Sequence, residues 1–362
     1  MHVLNDLIKR NQVTAFFAIT FAISWSLGFS WTAVLQRDQG LLLPLVFASA
    51  CGPGLAAIII SAVTNTRPKQ GPRKAFWIAF LTAWFVSALV CLANYEFIEE
   101  LILSPAVVVI FTISVAPVAF IIASAYSRIP SVRNHMASLI PLRGVWGWAL
   151  LALVLFPVLY LVSFPIDSIL NRQPITSYQF PDISLSLIEL VIVKFLYQFF
   201  FFNATGEETG WRGFALPRLQ ARTSPLIAAL VIGAFWATWH FPFWQAEGQP
   251  VSTVEFLVAM YIGHILLSVL IVWICNRARG SILVAGFAHA ATNTVQAFIH
   301  LQDIRILYPT LFVAALVLVL IDRMWKRLPS DHSAVFQAPL QVSDVSVGKR
   351  VERHGMLLER DD

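Results

Sequence analysis

Long apolar runs divide this chain into segments that are each long enough to cross a membrane. A spanning helix needs roughly 20 apolar residues, and runs of that length recur from residue 13 to residue 322. The chain is 58% hydrophobic and 12% charged, whereas soluble domains carry about 25% charged residues. No soluble fold of 362 residues could cover so much apolar surface. The sequence therefore predicts an all-α fold, a polytopic membrane protein with about ten transmembrane helices.

The loops that join the predicted spans alternate between loops rich in lysine and arginine and loops poor in them. We place spans near residues 13–35, 41–63, 76–97, 101–126, 145–166, 186–214, 224–242, 253–275, 281–300 and 306–322. Basic residues gather at the N-terminus and after every second span, at Lys9, Arg10, Arg67, Lys69, Arg73, Lys74, Arg128, Arg133, Arg143, Arg218, Arg222, Arg277, Arg279, Arg323, Lys326 and Arg327. The loop at the opposite side with Glu96, Glu99 and Glu100 is acidic. The positive-inside rule then predicts that both termini are cytoplasmic.

The net charge and the three cysteines both have ordinary explanations in a membrane protein. The formal net charge of +5 reflects cytoplasmic loops in such a protein and does not indicate a nucleic-acid partner. The three cysteines lie in apolar runs without CxxC spacing, which is typical of small packing residues. The short loops and compact body favour a bacterial plasma-membrane protein with the lipid bilayer as its surroundings.

The densest group of polar residues lies in the sixth predicted span, in the stretch from Asn203 to Phe214. A charge at mid-bilayer costs from about 2.5 to more than 10 kcal/mol and usually marks a functional site. If this span begins near Phe195, Lys194 reaches the outer interface and Glu207 lies about 18 Å into the membrane. Glu208 and Arg212 are spaced as neighbours on an α-helix, which predicts a structural ion pair. Glu207 points about 100° away and is the freer carboxylate.

Two later spans carry histidines. His240 follows an aromatic stretch and precedes Pro242, and taken alone this pattern is typical of an interfacial aromatic belt. His289 and Asn293 share a helical face at about the depth of Glu207, and taken alone they could be a polar contact between helices. His264 lies in the middle of another span, where we predict a packing role.

Together the three elements resemble the CPBP family of intramembrane proteases. This family includes the type II CAAX prenyl endopeptidases and the bacterial Abi, or bacteriocin-processing, proteins, and its pattern is EExxxR, then FxxxH, then HxxxN or HxxxD. The matching positions are Glu207, Glu208 and Arg212, then His240, then His289 and Asn293. Trp236 stands where the pattern has phenylalanine. An aromatic residue is retained there, so we expect the chemistry to be unaffected. The resemblance covers roughly residues 190–300.

The resemblance implies an endopeptidase that hydrolyses a membrane-associated peptide or protein. We predict that desolvated Glu207 acts as general base and that His240 orients the same water. His289 and Asn293 donate to the oxyanion, as the resemblance also implies. A metal-assisted alternative stays open, because Glu207, His240 and His289 form a zinc-like ligand set with an open position. We expect the substrate to reach the membrane from the cytoplasm.

This assignment divides the chain into four parts. Residues 1–184 are N-terminal transmembrane helices without an assigned role, 185–305 a catalytic transmembrane core, 306–327 the last helix and 328–362 a flexible cytoplasmic tail. The main alternative is a non-catalytic membrane protein for bacteriocin self-immunity or peptide binding, in which the same polar residues form a binding pocket. A transporter is disfavoured because the two halves show no repeat symmetry.

Overall fold

The computed structural model describes residues 2–35, 48–97, 105–139, 144–172, 174, 180–299 and 304–329. Within these ranges the regular structure is entirely helical. The α-helices are α1 His2–Arg10, α2 Gln12–Leu35, α3 Gly52–Val63, α4 Arg73–Phe97, α5 Pro105–Ser114, α6 Ala116–Ala123, α7 Pro130–Ser138, α8 Trp146–Asn171, α9 Leu185–Tyr197, α10 Leu216–Gln220, α11 Pro225–Trp239, α12 Phe241–Ala246, α13 Val254–Arg277, α14 Ile282–Phe298 and α15 Tyr308–Ile321.

The all-α, polytopic fold predicted from the apolar runs is confirmed. In the described ranges, seven segments are long and apolar enough to cross a membrane: Gln12–Ser30, Arg73–Ala93, Val108–Tyr126, Trp146–Leu170, Leu185–Gln220, Pro225–Ala246 and Val254–Arg277. The predicted count of about ten is not confirmed, because α3 and the Arg305–Ile321 segment are apolar but shorter than a full span. The start of the predicted 41–63 span, Glu99, Glu100, Arg143, His300 and the tail from residue 330 lie outside the described residues.

The segment that carries the two glutamates is one long helical run. It begins at α9, whose N-terminus is capped by Ser184, and it reaches Gln220 after 36 residues. Residues 185–194 therefore belong to the same helix. The helix begins ten residues before Phe195, the predicted start of the span. Gln198–Glu208 and Trp211–Ala215 form π-helical turns within the run. Such turns are rare and occur frequently at functional sites.

Glycines bring a second helix close to this run. A Cβ atom on Gly206 would lie 2.6 Å from the carbonyl oxygen of Ala50, and one on Gly210 would lie 2.5 Å from the backbone of Pro53. Both distances are too short for any side chain, so only glycine permits this approach. Gly206 and Gly210 thus lie where a second backbone passes close to this run, and the neighbouring helix is α3.

The N-terminal helices complete the core around the same run. The ring of Phe16 on α2 packs edge-on against Trp211 at a centroid distance of 5.4 Å. The indole Nε1 of Trp25 donates to the carbonyl oxygen of Trp239 over 3.3 Å. One buried apolar cluster joins α2, α3 and α8 with α11, α13, α14 and α15. The N-terminal helices thus enclose and position the motif-bearing helices.

Candidate active site

A cavity of about 320 Å³ lies between α11, α13, α14 and α15. The π-helical run contributes Glu207 to its wall, and α14 contributes His289 and Asn293. His240, at the junction of α11 and α12, and His264 on α13 line the same space. The four side chains predicted to act in catalysis, Glu207, His240, His289 and Asn293, are thus brought to one cavity from three separate parts of the chain.

Glu207 is held by a tryptophan. Its carboxylate is 4% exposed, and its Oε2 atom accepts a hydrogen bond from the indole Nε1 of Trp236 over 2.8 Å. Trp236 is the residue that stands where the family pattern has phenylalanine. A phenylalanine ring has no N–H to donate. The departure that we expected to be neutral therefore supplies a hydrogen bond to the central carboxylate.

The neighbouring carboxylate, Glu208, accepts hydrogen bonds from two side chains, Arg212 and His289. Its Oε1 atom accepts from Arg212 Nη1 over 2.8 Å and from His289 Nδ1 over 2.9 Å. Glu208 and Arg212 are at most 1% exposed, and the guanidinium carbon of Arg212 also lies 5.0 Å from the centre of the Trp236 ring. The i,i+4 spacing gave the Arg212 contact correctly. The sequence did not reveal that Glu208 also orients His289.

His240 and His264 form a matched pair. Each donates its Nδ1 proton to the carbonyl oxygen four residues earlier, His240 to Trp236 and His264 to Met260, both over 2.8 Å. Their rings lie 4.5 Å apart between centroids. Because Nδ1 carries the donated proton in both, Nε2 is the acceptor nitrogen in both neutral rings.

His264 is the site residue that sequence reasoning assigned to packing. Trp236 contacts three histidine rings, with centroid distances of 5.6 Å to His240, 4.9 Å to His264 and 4.9 Å to His289. No spacing motif links His264 to the other residues along the chain. The available signal was its polar side chain in the middle of an apolar span.

The geometry does not gather the predicted zinc ligands into a metal site. Across the part of the chain that the structure describes, no three His, Cys, Asp or Glu side chains are arranged to hold a metal ion. The described His, Cys, Asp and Glu side chains are therefore not arranged as a zinc site, and no chemical step is assigned to a metal.

Comparison with known proteins matches the part of the chain that carries these residues. Residues 189–295 match the family described as type II CAAX prenyl endopeptidase Rce1-like, and these residues include every motif position. The resemblance to the CAAX protease family is confirmed. A relative named CAAX prenyl protease 2, from Methanococcus maripaludis, is 28% identical over 273 residues, which cover 70% of this chain and 95% of that protein.

The match to that relative extends beyond the motif helices. Because it covers 70% of this chain, it includes helices outside residues 189–295, so the similarity is not confined to three short patterns. The matching family and this relative both carry the names of proteases.

Proposed function

We propose that this protein is an intramembrane endopeptidase that cleaves a membrane-associated peptide or protein with a water activated by Glu207. The observation that carries the proposal is the shared cavity, to which the π-helical run, the α11–α12 junction and α14 each contribute a motif residue. A peptide bond needs an activated water, a stabiliser for the oxyanion and a proton for the leaving amine. Each requirement has a candidate side chain in this cavity.

Glu207 is assigned as the general base. Trp236 holds its Oε2 atom, so Oε1 is the oxygen that takes the proton from water. His240 presents an acceptor Nε2 because its Nδ1 is bonded to the Trp236 carbonyl. The water directs one hydrogen to Glu207 and the other to Nε2 of His240. This arrangement aims a lone pair of the water oxygen at the carbonyl carbon of the substrate.

The reaction balances with these groups alone. Water loses a proton to Glu207 and its oxygen bonds to the carbonyl carbon, which places a negative charge on the carbonyl oxygen. The C–N bond breaks as the Glu207 carboxylic acid returns the proton to the leaving nitrogen. The products are a carboxylic acid and an amine, and Glu207 regains its ionised form.

His289 and Asn293 are assigned to the oxyanion. Nδ1 of His289 faces the Glu208 carboxylate, so in the imidazolium form Nε2 carries a proton that can be donated into the cavity. The Asn293 amide lines the same cavity and supplies a second donor. Glu208 and Arg212 act through His289, as a buried pair that fixes its ring. Trp236 and His264 are positioning residues for Glu207 and His240.

The decisive experiment offers membrane-anchored peptides to purified protein and compares wild type with Glu207→Gln. We expect kcat/KM to fall by roughly 10²–10⁴-fold, the range for loss of a general base, while the thermal unfolding curve stays unchanged. Glu255→Gln is the matched control, because Glu255 is exposed on α13 and does not line the cavity. Wild-type rates in the folded Glu207→Gln variant would contradict the assignment.

The metal-assisted alternative has its own measurement. A zinc chelator should leave the rate of peptide cleavage unchanged, and elemental analysis of the active protein should find no stoichiometric metal. Loss of activity on chelation, with recovery on adding zinc, would replace the glutamate mechanism with a metal mechanism.

A further inference from the structure

Two acceptor nitrogens face the cavity from different helices. In both His240 and His264 the Nδ1 atom bonds to a backbone carbonyl oxygen four residues earlier, so Nε2 is the acceptor and is directed away from that backbone. Both rings line the cavity. Within the described residues, neither Nε2 atom receives a hydrogen bond from a protein donor. A polar atom in such a place needs a donor from whatever occupies the cavity.

Tryptophan side chains fix the ring of His264. Trp236 and Trp244 both contact it edge-on, with centroid distances of 4.9 Å and 5.4 Å. Trp244 also stacks on His240 at 5.7 Å, with an interplanar angle of 17°. The backbone bond at Nδ1 further restricts the rotation of the His264 ring. The direction of its Nε2 atom is therefore set before any substrate binds, which favours selective recognition of a donor.

The proposed catalytic water cannot bind both histidines as a donor. Its two hydrogens are directed to Glu207 and to Nε2 of His240, so none is left for His264. The N–H of Trp236, whose ring contacts His264, is already donated to Glu207. An acceptor therefore remains on His264, whose ring lies 4.5 Å from that of His240 between centroids. A bound peptide offers one backbone N–H donor per residue, except at proline.

We infer that Nε2 of His264 accepts a backbone N–H of the substrate, from a residue beside the scissile bond. This inference rests on the proposed function, and it adds a substrate contact that the three sequence motifs do not contain. His264 then touches the substrate directly, in addition to packing against His240. A substrate with proline at the recognised position is expected to be cleaved poorly, because proline has no N–H to donate.

An ester scan of the membrane-anchored peptide tests this contact. Each peptide in the set has one backbone amide, other than the scissile one, replaced by an ester, which removes one N–H and keeps the shape of the chain. With wild type, we expect one position beside the scissile bond to lower kcat/KM by roughly 10–100-fold, because the acceptor is left unsatisfied. In His264→Leu, which has no acceptor, the same ester should lower kcat/KM by less than about twofold relative to the all-amide peptide.

Two further variants separate recognition from packing. His264→Gln keeps an acceptor in its side-chain oxygen, so the ester penalty should persist even though the rate falls. Leu267→Ala alters the cavity wall on the same helix and should leave the pattern of ester penalties unchanged.

The result that overturns the contact differs from the one that overturns the activity. Equal ester penalties in wild type and His264→Leu, or no sensitive position in wild type, would overturn the inference. Cleavage of the all-amide peptide by wild type and its loss in Glu207→Gln would still support the proposed function. Failure of wild type to cleave the all-amide peptide would overturn the proposed function and this contact with it.

Discussion

Helix α4 and the π-helical run from Gln198 to Ala215 are both apolar helical segments, yet they face opposite surroundings. On α4, the side chains of Trp77, Ile78, Leu81 and Phe85 are 54–65% exposed. In the π-helical run, Glu207, Glu208 and Arg212 are at most 4% exposed. Lipid tails are as apolar as leucine, so apolar residues face outward here and polar groups mark the interior. In this protein, therefore, the charged residues of the spanning segments mark the packed core, and exposed apolar residues mark the lipid-facing surface.

The sharpest test of that difference removes the buried anion. Glu208→Gln leaves Arg212 and His289 without their carboxylate, and breaking a buried pair costs roughly 3–5 kcal/mol. We expect a large fall in the thermal unfolding temperature of the detergent-solubilised protein. Phe85→Ala, on the exposed face of α4, should change stability by less than about 0.5 kcal/mol. Equal effects of the two substitutions would remove the contrast between the segments.

Glycine positions test packing rather than charge. Gly210→Ala puts a Cβ atom 2.5 Å from the Pro53 backbone, and overpacking of this kind costs roughly 1–3 kcal/mol. Gly147→Ala on α8 meets nothing within 4 Å and should stabilise its helix by about 0.5–1 kcal/mol. Opposite signs in the two unfolding measurements are the expected result. A stabilising Gly210→Ala would show that α3 does not pack there as described.

Trp236→Phe restores the residue of the family pattern and deletes the hydrogen bond to Glu207. A hydrogen bond to a charged group is worth roughly 1.5–3 kcal/mol, so kcat should fall by about tenfold or more. KM should change little, because the ring still fills its place in the cavity wall. Steady-state kinetics on the anchored peptide separates these two constants. An unchanged kcat would assign Trp236 to packing alone.

His264→Gln tests the matched histidine pair. Losing the ring that packs on His240 should lower kcat by roughly tenfold through misplacement of that ring, with the unfolding temperature preserved. Tyr261→Phe is the control on the same helix, since Tyr261 bonds to Thr238 at 2.7 Å and does not line the cavity. A wild-type pH–rate profile and kcat in His264→Gln would return His264 to the packing role predicted from sequence.

The smallest effect concerns His135 on α7, outside the spanning segments. Burial and the nearby Arg218 lower the pKa of His135 to about 3, below the value of about 6.5 in the unfolded chain. Between these values the unfolded state binds more protons, so stability falls as pH drops below about 6.5. We expect a loss of about 0.7 kcal/mol between pH 7 and pH 6. His135→Gln should flatten that part of the stability profile, and an unflattened profile would assign the pH dependence to other groups.

The sequence was informative wherever a single helix set the geometry. The i,i+4 spacing placed Arg212 on Glu208. Contacts between distant segments could not be read in this way. The Trp236–Glu207 bond, the His289–Glu208 bond and the His240–His264 contact each join separate helices. The π-helical turns also break the assumption of 3.6 residues per turn on which the 100° separation of the two glutamates was based.

The two partners of Glu208 become available at different times during synthesis. Arg212 lies four residues later on the same segment, whereas His289 is synthesised 81 residues later. An unpaired charge is costly to insert into a bilayer, so the intrahelical pair lets this segment leave the translocon before α14 exists. Arg212 thus stabilises the Glu208 carboxylate during membrane insertion, and His289 completes the site only after α14 has been synthesised.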